Sequence, residues 1–184
     1  MTDLNFIDTD VGNAYRLLAP RPTIIVTTKN KEIVNAAPFS FTMPVSIKPP
    51  LMAFSSAPTH HTFKNIEETQ EFVINIPNGT ILKQLWLTGE KFPEDVNELE
   101  KADLTEIESF KVSPPRIAEC IAHIECRLHS IIDAGDHKLV IGEVIHADVN
   151  KSAIKEGLLD VENVKPVLHL GGVNFVIGDH IRQV

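Results

Sequence analysis

From residue 35 to residue 65 the chain reads NAAPFSFTMPVSIKPPLMAFSSAPTHHTFKN, and this segment carries its most informative pattern. Its small, polar and mostly uncharged residues alternate with aromatic and aliphatic runs of the kind found in strands. Such a surface suits a ligand held by backbone amides and hydroxyls better than it suits a proton-transferring active site. We therefore expect it to bind a flat, multiply hydrogen-bonding ligand that carries a phosphate.

Length and composition favour a single domain over residues 1–184. The chain is 43% hydrophobic and 23% charged, which is ordinary for a globular protein. Its formal net charge of −8 argues against nucleic-acid binding, and no basic run offsets it. The first ten residues are acidic and do not read as a signal peptide, and no apolar run approaches the roughly 20 residues of a membrane helix. We expect a soluble, cytoplasmic protein.

The 12 prolines divide the chain into short segments, most of which read as strands. Strands are predicted over residues 23–28, 33–37, 51–55, 72–76, 122–132, 137–149 and 174–177. Short helices are predicted over residues 63–69, with Thr62 as N-cap, and over 80–87 and 95–101, and another ends over 15–19. Alternating βαβ units are absent, so the pattern indicates a mainly β fold, a barrel decorated by short helices.

A zinc site is the first alternative to test, because Cys120, His123, Cys126 and His129 recur at a spacing of three. In a strand these cysteines and histidines point to opposite faces and neighbours lie roughly 10 Å apart, whereas zinc ligands converge at about 2.0–2.3 Å. The two cysteines, roughly 20 Å apart on such a strand, are also too distant for a disulfide. We predict no metal site, but a strand with a buried thiol face and a polar outer face that includes Glu125.

Other cofactor and nucleophile motifs are missing from the sequence. It contains no G-x-G-x-x-G, no Walker A and no G-x-S-x-G pattern, which removes support for a dinucleotide fold, a P-loop or a serine hydrolase. The acidic cluster of Glu94, Asp95, Glu98 and Glu100 is predicted to be a solvated helix face.

Seven short motifs, taken in order, identify the chain as resembling a known family. They are RPTIIVTT (21–28), NAAPFSF (35–41), PPL (49–51), a T-x-x-N-I pattern from Thr62 to Ile66, EFVIN (71–75), GDH and GEV (135–137 and 142–144), and PVLH (166–169). Together they resemble the flavin reductase-like, FMN-binding split-barrel family, and in particular its flavoredoxin-like branch. The resemblance covers about residues 21–175.

The resemblance implies a mainly β, FMN-binding split β-barrel of Greek-key type with short peripheral helices, and a homodimer with the flavin near the subunit interface. Hydroxyls beside a helix N-terminus suit the FMN phosphate, and the irregular backbone of the NAAPFS segment suits the edge of the flavin ring. The implied cofactor-binding residues are Thr27, Asn35, Ala36, Ala37, Pro38, Phe39, Ser40, Ser55, Ser56, His61, Thr62 and Asn65.

Three histidines and a tryptophan need separate interpretation. His137 is the candidate for catalysis or substrate contact, with the alternative that it only caps the turn with Asp136. His60 and His61 stand where many relatives carry Lys-Asp, so we expect phosphate affinity to depend on pH. Trp86 has the helical spacing of a core residue, which favours packing over a contact with the flavin.

Two functions of different class follow from this resemblance. One is an NAD(P)H-dependent flavin or ferric reductase, in which electrons or hydride pass between NAD(P)H and the flavin or a downstream acceptor. The other is an FMN-carrying electron-transfer module that exchanges electrons with a redox protein and has no direct NAD(P)H activity. A more distant alternative is a barrel of this class that holds another cofactor, such as haem.

Overall fold

The computed structural model describes residues 5–183, and strands dominate this part of the chain. The strands are β1 (Arg21–Pro22), β2 (Ile24–Asn30), β3 (Ile33–Phe39), β4 (Thr42–Ser46), β5 (Leu51–Ser56), β6 (Glu71–Ile76), β7 (Glu106–Ile107), β8 (Arg116–Ile117), β9 (Ala122–Ala134), β10 (His137–Val149), β11 (Ile154–Lys155), β12 (Leu158–Leu159), β13 (Val167–Gly171) and β14 (Asn174–Ile177). The predicted mainly β fold is confirmed.

The helices are short, as the proline content predicts. They are α1 (His61–Thr69), α2 (Leu82–Leu87), α3 (Glu98–Lys101) and α4 (Val161–Val164), with 3₁₀ turns at Val11–Leu18, Gly79–Ile81 and Lys151–Ala153. Among the described residues, none of these helices has the length and apolar character needed to cross a membrane.

One seven-stranded antiparallel sheet forms the body of the protein, in the order β3-β2-β6-β9-β10-β5-β4. The long β9–β10 hairpin lies near its middle and turns at Gly135–Asp136, where the positive φ of 68° at Gly135 suits glycine. A smaller sheet, β1-β13-β14, brings residues 21–22 next to residues 168–169. This second sheet joins the start of β2 to the C-terminal part of the chain.

Both faces of the large sheet are covered, because consecutive residues of β2 are buried. Ile24 and Val26 pack into a cluster with Phe54 and Phe72 beneath α1. Ile25, between them, packs into a second cluster that includes residues of α2 and α3. A strand covered on both sides reads as a continuous apolar run rather than an alternating one. Strand β3, which contains most of the NAAPFSF motif, therefore lies between α1 on one side and α2 and α3 on the other.

The outer face of β9 differs from its prediction. His123 and Glu125 are 7% and 0% exposed, although their positions alternate with the buried thiol of Cys126 as predicted. Glu125 accepts hydrogen bonds from the backbone amides of Phe110 and Lys111 at 2.8 and 2.7 Å. This face is polar, as predicted, but the prediction that it is an outer face is wrong because residues 106–117 fold across it. No three His, Cys, Asp or Glu side chains within residues 5–183 converge as metal ligands would.

Candidate functional site

A groove beside β3 has a volume of about 510 Å³. It lies between β3, the N-terminus of α1 and the segment that follows α2. Its lining residues are Asn35, Ala37, Pro38, Phe39, Thr59, His60, His61, Thr62, Thr88, Gly89, Glu90, Lys91, Phe92 and Glu98. A smaller cavity of about 230 Å³ adjoins it and shares Pro38, Phe39, Gly89 and Glu90. We call these the phosphate groove and the aromatic cavity.

The N-terminus of α1 opens into the phosphate groove without a side-chain cap. The helix begins at His61, and its N-cap His60 makes no capping hydrogen bond. The first amides of a helix have no partner within the helix and favour an anion. The prediction that Thr62 caps this helix is wrong, because Thr62 lies inside the first turn, where its hydroxyl is hydrogen-bonded to the Asn35 amide at 2.9 Å. The residues of this helix start, His60, His61 and Thr62, line the groove.

Three basic side chains, His60, His61 and Lys91, surround this helix end. Partial burial lowers the pKa of His60, and the neighbouring charges of His137, His61 and Lys91 lower it further. The Ser56 hydroxyl lies 3.3 Å from His60 Nδ1, within hydrogen-bond distance. The groove therefore combines amide donors with a histidine that becomes charged below neutral pH.

Glu98 is a buried carboxyl group on the far wall of the phosphate groove. It is 6% exposed, and its Oε2 accepts a hydrogen bond from the Ala36 amide at 2.6 Å. Burial raises the pKa of Glu98 to about 7. The prediction of a solvated acidic face is therefore wrong for Glu98, while Glu94, Asp95 and Glu100 are exposed. The physical reason is that α3 packs against β3 with its first residue turned inwards.

Strand β3 and Ser40 after it offer a ligand fewer free hydrogen-bond donors than the sequence suggests. The Ala36 amide is already bonded to Glu98, and Pro38 has no amide hydrogen. The Ser40 hydroxyl lies 3.1 Å from His169 Nδ1, in the aromatic cavity. A ligand beside β3 would therefore meet carbonyl groups, the Ser40 oxygen and apolar surface in addition to the helix amides.

The structure separates the predicted cofactor-binding residues into four sets. The set that lines the phosphate groove is Asn35, Ala37, Pro38, Phe39, His61 and Thr62. Ser40 lines the aromatic cavity, and Asn65 lines a separate cleft and donates to Thr28 Oγ1 at 3.0 Å. The residues that line none of these cavities are Thr27, Ala36, Ser55 and Ser56. Thr27 donates instead to the Pro115 carbonyl at 2.6 Å.

His137 lies near His60 of the phosphate groove, but it lines neither of the two cavities. Its Nδ1 lies 2.7 Å from the Asp136 carboxylate, and its ring centre lies 6.0 Å from that of Phe41. It is close enough to His60 to affect the pKa of that residue. This position fits contact with an incoming molecule, and the Asp136 contact fits the turn-capping alternative equally.

Three residues of the aromatic cavity were not predicted as site residues, namely Thr23, His169 and Phe175, and a fourth, Trp86, was assigned to the core. Trp86 is 45% exposed, so the expectation of a core residue is wrong, and its ring packs edge-on against Phe175 at 6.2 Å. The PVLH motif contained His169, but only the pairing of β1 with β13 places it beside Ser40.

The expected cofactor is compatible with this donor set. Uncapped helix amides with histidine and lysine nearby suit a phosphate monoester. The apolar surface of Pro38, Phe39 and Trp86 suits a planar aromatic ring. Both surfaces meet along β3, so one elongated ligand with a phosphate at one end and a ring at the other matches the chemistry of the residues present.

Comparison with known proteins gives consistent matches along most of the chain. Residues 15–169 match the model of the flavin reductase like domain. An uncharacterised protein of Aquifex aeolicus is 35% identical over 180 residues, which cover 92% of each chain.

Solved structures match the fold over nearly the whole length. Nitrilotriacetate monooxygenase component B from Bacillus cereus has a TM-score of 0.86 at 29% identity and covers 100% of this chain and 98% of its own. The Pseudomonas fluorescens 2-nitrobenzoate 2-nitroreductase NbaA has a TM-score of 0.84 at 28% identity, with 98% and 95% covered. Flavoredoxin from Methanosarcina acetivorans shares the fold, with a TM-score of 0.85 at 19% identity, and 98% and 95% covered.

Proposed function

This chain belongs to the flavin reductase-like domain family, and we propose that it is an FMN-binding oxidoreductase that passes electrons between NAD(P)H and flavin or a downstream acceptor. The observation that carries the proposal is the uncapped N-terminus of α1, which opens into a groove walled by the NAAPFS strand. The family match and the FMN-binding proteins that share this fold agree with the predicted cofactor.

The residues that would hold the phosphate of FMN are those at the helix end. The first amides of α1 would donate to the phosphate oxygens, His61 would add a hydrogen-bond donor, and Lys91 would supply positive charge. Bound FMN supplies hydride and single-electron chemistry, for which the protein needs no side-chain nucleophile. The protein residues bind the phosphate, orient the ring against β3 and exclude water from one side of it.

A redox role for this family agrees with two of the relatives. A monooxygenase component and a nitroreductase, at 29% and 28% identity, share the fold over nearly its full length. The direct use of NAD(P)H is our inference from the resemblance to flavin reductases.

An electron-transfer module without NAD(P)H activity is the second candidate. The sequence motifs of the flavoredoxin-like branch favour it, as does the position of His137, whose side chain is 34% exposed beside the β9–β10 turn. The two candidates differ only in the electron donor.

An anaerobic reduction experiment separates the two functions. The purified protein is loaded with FMN, and its flavin absorbance is followed after NADH or NADPH is added. Rapid bleaching supports the reductase. Bleaching only with a reduced redox protein supports the module. Failure to retain FMN at micromolar concentrations would refute both.

A pair of ligands tests which residues hold the phosphate. We expect H61Q/K91Q to weaken FMN binding at least tenfold, because two charge-assisted contacts are lost, and to leave riboflavin, which lacks the phosphate, unchanged. K83Q on the exposed side of α2 is the matched control. Equal loss of both ligands in the double variant would contradict the assignment.

We also propose the predicted homodimer and a cytoplasmic location for a single-domain protein. Strand β4 lies at the edge of the large sheet, and its Met43 and Val45 side chains are exposed, as is Ile47 beyond it. An apolar edge of this kind supports association with a second copy, which sedimentation of the purified protein would test.

A further inference from the structure

We propose that Glu98 is a positioning residue for the phosphate of the ligand, acting through a hydrogen-bond relay that runs from its carboxyl group through Asn35 to the hydroxyl of Thr62. When Glu98 is neutral, the relay leaves the Thr62 hydrogen free to bind a phosphate. When Glu98 is ionised, the relay occupies that hydrogen. The identity of the ligand as FMN rests on the proposed function, whereas the relay depends only on the protein residues.

The three residues of the relay lie together in the wall of the phosphate groove. Glu98 and Asn35 are each 6% exposed, Thr62 is 1% exposed, and all three line the groove. They come from three different elements, α3, β3 and the first turn of α1. Because water has little access to these side chains, their hydrogen bonds are satisfied by one another or by a ligand.

The side-chain amide of Asn35 stands between the other two groups. One end of this amide lies 2.9 Å from Thr62 Oγ1, and the other end lies 3.3 Å from Glu98 Oε2. An amide carries its donors on the nitrogen and its acceptor on the oxygen, and a rotation of 180° exchanges the two ends. Asn35 therefore presents its nitrogen to Glu98 or to Thr62, but not to both at once.

The charge of Glu98 decides between these two orientations. An ionised carboxylate can only accept, so Asn35 then donates to Glu98, and its oxygen accepts the hydroxyl hydrogen of Thr62. A neutral carboxyl group donates its own hydrogen to the Asn35 oxygen, and Asn35 Nδ2 then donates to the Thr62 oxygen. In this second orientation the hydrogen of the Thr62 hydroxyl is available to a ligand in the groove.

The surroundings of Glu98 place this change near neutral pH. Its carboxyl group accepts a hydrogen bond from the Ala36 amide at 2.6 Å, and burial raises its pKa to about 7. Strand β3 carries no charged residue; the charged or titratable residues around Glu98 are His60, His61, Glu90 and Lys91 along the groove and the exposed Lys83, Glu100 and Lys101 of α2 and α3. The shift in pKa arises from burial and not from these charges.

Phosphate binding and the protonation of Glu98 are linked through the Thr62 hydrogen. A phosphate monoester has only acceptor oxygens to offer at neutral pH, so it binds the orientation in which that hydrogen is free. With a pKa of about 7, the neutral fraction of Glu98 falls from about nine-tenths at pH 6 to about one-tenth at pH 8. We therefore expect the affinity for FMN to fall about tenfold over this range.

Fluorescence titration with FMN and riboflavin at pH 6, 7 and 8 tests this expectation. In E98Q the amide of glutamine donates to Asn35 at every pH, so affinities are expressed relative to E98Q, which cancels the titration of the phosphate and of the histidines. The parent should lose FMN affinity about tenfold, while riboflavin, which lacks the phosphate, should change less than twofold. E100Q, on the exposed side of α3, is the matched control and should follow the parent.

Two variants of Thr62 separate the relay from simple repulsion by the Glu98 charge. T62V keeps the shape and removes the hydroxyl, so it should bind FMN about tenfold more weakly at pH 6 and change less than twofold up to pH 8. T62S keeps the hydroxyl and should keep the tenfold dependence on pH. A tenfold dependence that persists in T62V would overturn the inference, as would an FMN affinity of the parent that does not change relative to E98Q.

The ligand-free protein gives a readout that needs no flavin. The side-chain amide resonances of Asn35 are followed by NMR from pH 5 to pH 9, and we expect them to shift with a midpoint near pH 7 in the parent and to stay constant in E98Q. Resonances of the parent that do not titrate in this range would overturn the inference. A protein that shows the titration but binds neither FMN nor riboflavin supports the relay and refutes the proposed function.

Discussion

Glu98→Gln is expected to change how the stability of the protein depends on pH. The carboxyl group is 6% exposed, and burial raises its pKa from an ordinary 4.5 to about 7. Between these values the folded protein holds the proton and the unfolded chain releases it. The contribution of Glu98 to stability is therefore fully present below pH 4.5 and is lost as the pH rises through 7. Glutamine keeps an acceptor for the Ala36 amide and removes the titration.

The size of this effect follows from the shift itself. A difference of about 2.5 pH units corresponds to about 3 kcal/mol, lost at about 1.4 kcal/mol per pH unit across the window. The unfolding free energy of E98Q minus that of the parent should therefore rise by about 3 kcal/mol from pH 4.5 to pH 8.

Urea denaturation at pH 4.5, 5.5, 6.5, 7.5 and 8, followed by circular dichroism, measures this difference. E100Q, on the exposed side of the same short helix, is the control and should follow the parent at every pH. Parallel profiles for E98Q and the parent would refute the reasoning, because the carboxyl group would then titrate alike in the folded and unfolded states.

Three further predictions concern His60 in the phosphate groove, His137 beside it and Gly142 in the interior of the large sheet. Because the lowered pKa of His60 places its protonation below pH 6.5, FMN affinity should rise from pH 7 to about pH 5 relative to H60Q, and fluorescence titration showing equal ratios would contradict this. H137A should slow flavin reduction by NADH in stopped-flow absorbance, while an unchanged rate favours the turn cap. G142A should cost about 1–3 kcal/mol in urea denaturation, since its Cβ would lie 2.3 Å from Phe72 Cζ, and parent-like stability would contradict this.

The long strands could be predicted because their patterns are local. β10 begins and ends where the sequence places it, and β9 extends only two residues further than predicted. In contrast, β4 was not predicted, since Pro44 lies within it and edge strands tolerate proline. Residues 166–169 form one of the sequence motifs, but the pairing of Leu168 and His169 with β1 depends on contacts across the chain.

The candidate site, too, could be predicted only in part from the sequence. The family resemblance and the NAAPFS strand came from the sequence, and so did the polar helix start at residues 60–62. The sequence did not reveal that Glu98 lies against Ala36, 62 positions away, or that His169 lies against Ser40, 129 positions away. Each contact joins groups whose own neighbours give no sign of a partner.

By itself, the sequence determined the mainly β architecture, the positions of six of the seven strands of the large sheet and the family of the chain. Only the tertiary structure decided that His123, Glu125 and Glu98 are buried and that Trp86 lines a cavity. The physical reason is that local periodicity shows which side chains of a segment share a face. Whether water or another segment covers that face depends on how distant parts of the chain pack.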